Sequence, residues 1–180
     1  ERDVKPGLQH LLSLCLPAGM PCSSSPELGS FRGPGRKADP CPYASLILLR
    51  LLSLTEDQRD GPAAEAMGQL LLRLWEDSHV SHPYMFFAGR DFRKLKAPSL
   101  WYDLTAVAEV LSRFPRFHDQ PALQEMVALI ALKADPDGLF TPESVYLKCR
   151  DWDFGQKKHP SLYLSYLCRR ILMRMGRSVI

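Results

Sequence analysis

Apolar residues recur at the three- and four-residue spacing of a helix in six stretches, with few β-branched residues among them. The stretches are Leu8–Leu16, Tyr43–Leu54, Ala63–Trp75, Trp101–Phe114, Leu123–Lys133 and Leu162–Met175, and the pattern predicts six helices and no strand. Their starts recur as well. Pro42, Leu100 and Pro160 open the second, fourth and sixth at intervals of 58 and 60 residues, while Pro6, Pro62 and Pro121 open the others at 56 and 59. Proline suits a first helical turn, where its missing N–H would find no partner anyway. Two interleaved series with one period predict a helical hairpin repeated three times.

The two series differ in amphipathicity. In the second helix Tyr43, Leu46, Ile47, Leu48, Leu49, Leu51 and Leu52 leave no polar face, so burial on every side is expected. The third places Glu65, Gln69, Arg73 and Glu76 opposite Met67, Leu70, Leu71 and Leu74. An inner layer (42–54, 100–114, 160–175) wrapped by an outer one follows, in an all-α domain. An ordinary bundle without curvature is the alternative.

Composition narrows the class. With 180 residues, 46% apolar and 24% charged, one globular domain over 1–180 is expected. The richest apolar run, Leu46 to Leu54, is interrupted by Arg50 and is too short to span a membrane. A net charge of +3 gives no argument for nucleic acid. Five cysteines (Cys15, Cys22, Cys41, Cys149, Cys168) are an odd number without Cys-x-x-Cys spacing, which favours a reducing, cytoplasmic setting. The polar start without Met is expected of a piece, the C-terminal part of a longer chain.

Asp135-Pro136-Asp137-Gly138-Leu139-Phe140 resembles the Gln-x-x-Asp-Gly-x-Trp turn of terpenoid cyclases and protein prenyltransferases, with Ala134 where that family has Gln and Phe140 where it has Trp. Gly29-Ser30-Phe31-Arg32-Gly33 followed by Asp39-Pro40-Cys41-Pro42-Tyr43 resembles the turn leading into an inner helix of the same superfamily. Residues 90–103 and 151–161 are similar to bacterial prenyltransferase-like or squalene-cyclase-like repeat proteins. The resemblance implies an α/α toroid, of which three hairpins make a partial arc. Its apolar concave side would need cover, from an upstream half of the same chain or from a second copy.

In such toroids the loops before the inner helices ring a central cavity, and the helix N-termini there favour anions. The loop at 90–99 carries Arg90, Arg93, Lys94 and Lys96 against Asp91, and reads as a grip for a diphosphate or as a solvated basic loop. In the loop at 151–159, Asp151 and Asp153 match the first two aspartates of the cyclase Asp-x-Asp-Asp motif. Phe154 replaces the last aspartate, so Asp153 is the one candidate acid and lacks the partner that would tune it. Trp152 and Phe154 could instead plug the loop onto the core.

Protein prenyltransferases hold zinc with Asp-x-Cys and a histidine, and Asp39, Cys41 and His159 offer those ligand types. His159 stands two repeats on from Asp39, where the family's histidine is one repeat on. The competing reading has Asp39 capping the helix that Pro42 begins, Cys41 buried and His159 in solvent. His79 and His82 are separated from a common helical face by Pro83. Arg169, Arg170, Arg174 and Arg177 suit the dipole at the end of the last helix.

Three functions compete: a binding module, a terpenoid-cyclase- or prenyltransferase-like enzyme, and a helical adaptor for another protein. Non-catalytic binding of an apolar, prenyl-like or anionic ligand, or of a partner, on the concave face is the reading favoured, with no cofactor required and zinc as the exception. Tyr43, Trp101, Tyr102 and Trp152 would be walls; Lys94, Lys96, Lys157 and Lys158 would meet an anion. Asp103, Asp151, Asp153 and Gln156 would orient polar groups.

Overall fold

The computed structural model describes residues 4–22, 40–80, 86, 88–152 and 154–178. The chain is mainly helical and divides into two compact units, 1–87 and 88–180.

In the first unit, α1 (Val4–Ser13), α2 (Pro42–Leu52), α3 (Glu56–Arg59) and α4 (Pro62–Glu76) follow one another. Pro42 and Pro62 occupy first-turn positions, as their ring geometry favours. α2 packs on α4, and Leu46, Leu49, Leu52, Met67 and Leu71 are fully buried there. The expected helix at 8–16 instead ends at Ser13, because Leu16 and Gly19 exchange backbone hydrogen bonds (2.9 and 3.1 Å) in a reversal that takes residues 14–16 out of the helix. Gly19 has φ +139°, and a Cβ there would stand 2.9 Å from Ser45 Oγ, so only glycine fits. α2 is not buried on every side as expected: Ile47 is exposed.

The second unit holds β1 (Lys96–Ala97), α5 (Leu104–Leu111), α6 (Pro121–Ala131), β2 (Ser144–Val145) and α7 (Leu162–Arg174), with 3₁₀ turns at Pro115–Phe117 and Leu147–Cys149. α5, α6 and α7 pack against one another around Phe114, Phe117, Phe140, Met126 and Ile171. All eight residues of α5 are buried, which fits a helix apolar nearly all round. Its start is Leu104 rather than the expected residue 100, because Asp103 caps it. α7 likewise starts at Leu162 rather than 160, behind the cap Ser161.

Two further expectations are corrected. β1 and β2 pair in parallel, Lys96 with Ser144 and Ala97 with Val145, although no strand was expected. A two-residue pairing leaves no alternation to read. It is held by Glu143, whose Oε2 accepts from Leu95 N–H at 2.7 Å and meets Lys133 Nζ at 2.5 Å. α7 was expected to be an inner helix buried all round, yet Leu162, Tyr163, Tyr166 and Met173 are exposed. Among the described residues no helix is long and apolar enough to cross a membrane.

Candidate functional site

Two helix starts are built alike. Cys41 caps α2, and its N–H donates to Met20 O (2.7 Å) while Met20 N–H donates to Ser45 Oγ (3.0 Å). Ser161 caps α7, its N–H donates to Phe140 O (2.9 Å), and Phe140 N–H donates to Ser165 Oγ (2.9 Å). The cap of α2 is therefore Cys41, a buried residue, and not Asp39 as the sequence suggested. Asp39 lies outside the described residues, as do Asp153, His82, Pro83 and the Gly29–Gly33 turn. Tyr43, in the first turn of α2, is half-buried.

The Asp135–Phe140 turn is self-supporting. Asp135 Oδ1 accepts from the N–H groups of Asp137 (3.0 Å) and Leu139 (2.8 Å), and Gly138 takes a φ of +69°. Arg169 clamps the turn to α7 by donating to the carbonyls of Gly138 (2.9 Å) and Asp137 (3.0 Å), a more specific task than answering the helix dipole.

In the basic loop, Asp91 takes up both lysines named as anion contacts, Lys94 at 3.3 Å and Lys96 at 2.6 Å. The Lys96 hydrogen bond holds the Asp91 carboxyl below its usual range, and Lys94 adds to it. Arg93 donates to Ala88 O at 3.2 Å. Tyr102 is buried with its ring 5.1 Å from that of Phe92, so it belongs to the core, whereas Trp101 is exposed. Asp103 is fully buried; its Oδ1 accepts from Ala106 N–H (2.8 Å) and from Ser99 Oγ (3.2 Å). Burial pushes its carboxyl up to about 6, against the Ala106 hydrogen bond and the Lys96 charge. Burial, with the Asp103 charge adding, raises the Cys168 thiol strongly as well.

The loop at 146–161 brings more of the expected residues together. Gly155 approaches the backbone so closely that a Cβ would stand 1.7 Å from Cys149 O, so this crossing is reserved for glycine. Gln156 is a strut rather than a free contact. Its Oε1 accepts from the N–H groups of Lys158 (2.6 Å) and His159 (2.9 Å), and its Nε2 donates to His159 O (2.8 Å). Asp151 stands in solvent with Arg150 at 3.7 Å, and Lys157, Lys158 and His159 are exposed. Trp152 is 57% exposed instead of plugging the loop; its ring meets Phe154 edge-on at 5.0 Å, and Phe154 lies 5.6 Å from Tyr163.

That cluster runs into the exposed face of α7, which the sequence reading missed. Leu162, Tyr163, Tyr166, Arg170 and Met173 succeed one another along one side of the helix, and Arg170 lies over the Tyr166 ring at 5.3 Å. The tyrosines and arginines spaced through 162–174 were the available signal. Also missed was Glu109 on α5, whose side chain is 5% exposed and is met by Arg113 (2.7 Å), Arg174 (3.1 Å) and Arg170 (3.6 Å). Burial works to raise the Glu109 carboxyl, but the hydrogen bonds and charges of Arg113 and Arg174 prevail and lower it.

Among the described residues no three His, Cys, Asp or Glu side chains gather as a metal site. Cys41 is in the first unit and His159 in the second. Compared with family models, with curated proteins and with solved structures, the chain has no match.

Proposed function

We propose that the protein is a non-catalytic helical-repeat binding module that takes an anionic amphiphile of the prenyl diphosphate type on the aromatic and basic surface of its second unit. Its three hairpins would form part of an α/α toroid, as the cyclase and prenyltransferase resemblance implies, in a cytoplasmic protein. The reading rests on one observation: Trp152, Phe154, Tyr163 and Tyr166 make an accessible aromatic run flanked by Lys157, Lys158 and Arg170. Residues 146–180 carry eight Lys and Arg against two Asp, while the whole chain carries 23 against 20. The positive charge is thus concentrated where the aromatics are.

Apolar area and charge suit the two ends of such a ligand. Covering roughly 200–300 Å² of the rings contributes about 5–8 kcal/mol before the cost of association. With the charge contacts offsetting part of the cost of association, a dissociation constant below about 1 mM is expected. The enzyme reading draws no support from Asp151, which stands in solvent beside Arg150 instead of in the apolar pocket a proton-donating carboxyl needs.

Calorimetric titration of the full chain with farnesyl diphosphate, inorganic diphosphate and farnesol tests the proposal. Farnesyl diphosphate should bind at least tenfold more tightly than either fragment, and Trp152→Ala with Tyr163→Ala should weaken it at least tenfold. Binding that the double substitution leaves unchanged, or no binding at about 1 mM ligand, would overturn it.

A further inference from the structure

The α2 cap is the weaker of two equivalent caps. Ser161 accepts from Leu164 N–H through an oxygen at 3.3 Å, whereas Cys41 accepts from Ala44 N–H through sulfur at 3.5 Å. Sulfur is a weak acceptor, and serine is the better N-cap residue. Cysteine at this position therefore calls for a reason other than capping.

A second thiol supplies one. Pro21 and Pro40 form an antiparallel bridge, and Cys41 N–H donates to Met20 O at 2.7 Å, so the chain ends at 22 and 41 are held side by side. In that antiparallel pairing residues 22 and 41 are diagonal neighbours on one face of the bridge, which sets the two thiols beside each other. Cys22 is half-buried and reachable, while Cys41 is buried; in the second unit Cys149 and Cys168 are both buried. Cys15 is turned elsewhere, toward Leu11 O (3.6 Å) and Met20 Sδ (3.9 Å).

We infer that Cys22 and Cys41 are a modification site that closes to a disulfide by exchange with a small-molecule disulfide. The Cys22 thiolate attacks one sulfur of that reagent, breaking its S–S bond and releasing one thiolate. The Cys41 thiolate then attacks the Cys22 sulfur and releases the second. The cysteine pair loses two electrons, the reagent gains them, and the two cysteine protons end on the released thiols. In a reducing compartment the pair stays open as the dithiol, and the cross-link forms when the surroundings turn oxidising. The closed form cross-links residue 22 to the cap of α2.

Burial and the Cys41 partner hold the Cys22 thiol up at about 11, so the exchange is slow at neutral pH and is best driven at pH 9. The full chain is treated there with oxidised glutathione and analysed by intact mass and non-reducing tryptic mapping. Arg32, Arg36 and Lys37 lie between the two cysteines, so trypsin separates their peptides unless a disulfide joins them. A loss of 2 Da, a Cys22–Cys41 linked peptide and a rise of about 5–10 °C in Tm that reductant reverses are expected. Cys22→Ser and Cys41→Ser should each abolish the linked peptide, and the second should fold because Ser161 fills the same role at the start of α7. Five thiols still open to alkylation, or a link through Cys15 instead, would overturn the proposal.

Discussion

The chain entering α2 and the chain entering α7 make one hydrogen-bonding device from different residues. In both, a residue 25 positions before a helical serine gives that serine its N–H and takes the N–H of the cap on its carbonyl. The side chain at the seat differs: Phe140 is completely buried and Met20 nearly so. The caps differ too, sulfur in one and oxygen in the other. The lesson is that the two helix starts share their backbone pairing, while the side chains around it are free to carry separate tasks. The first uses that freedom for a pair of thiols. The second uses it for an exposed aromatic face on α7.

The largest test of this comparison is at the seat. Phe140→Ala should cost about 3–5 kcal/mol and Met20→Ala about 2–3, because the ring leaves the larger cavity. Equal costs in denaturant unfolding would show that the two seats are packed alike.

A smaller effect is expected at the serines. Ser45→Ala and Ser165→Ala each strand a buried backbone N–H and should each cost about 1–3 kcal/mol. Values differing by more than about 1 kcal/mol would break the equivalence of the devices.

The last test sets Asp103 beside the uncharged caps Cys41 and Ser161, and it alters a slope more than a midpoint. The native carboxyl keeps its proton up to about pH 6, while the unfolded chain releases it near the ordinary value of 3.8. The native state therefore binds more protons between those values, and stability falls as pH rises through that window. Asp103→Asn keeps a capping side chain and should remove that fall, leaving the opposite loss from Glu109 as the medium turns acidic. Unfolding midpoints at pH 4.5 and 7 measure it, and the same change in both proteins would refute the assignment.

Much of this was legible in the chain. Prolines at the helix starts and apolar spacing placed α2, α4 and α6 to within two residues of their ends. Tyr43 and Tyr163 each stand two residues after their caps, Cys41 and Ser161, in the register that the hydrogen bonds share. The errors have a common cause. Cap identity depends on which side chain reaches an N–H, so α5 begins at Leu104 behind Asp103, later than the apolar pattern implied, and α7 at Leu162 behind Ser161, later than its proline implied. Among the candidate site residues, Trp101 and Trp152 do face solvent, yet Tyr102 is core, Asp103 is a cap, Gln156 is a loop strut, and Lys94 and Lys96 are engaged by Asp91.

Spacing and local chemistry are one-dimensional, and they determined the mainly helical class and the proline-led first turns of α2, α4 and α6, since each depends on residues a few positions apart. Tertiary structure alone decided that α7 shows Tyr166 and Met173 to solvent, that Glu109 on α5 draws Arg170 and Arg174 from α7, and that Cys22 stands beside Cys41 across the Pro21–Pro40 bridge. Those pairings join residues 19 to 65 positions apart, and the free energy that selects them comes from packing and desolvation between elements, which no periodicity along the chain encodes.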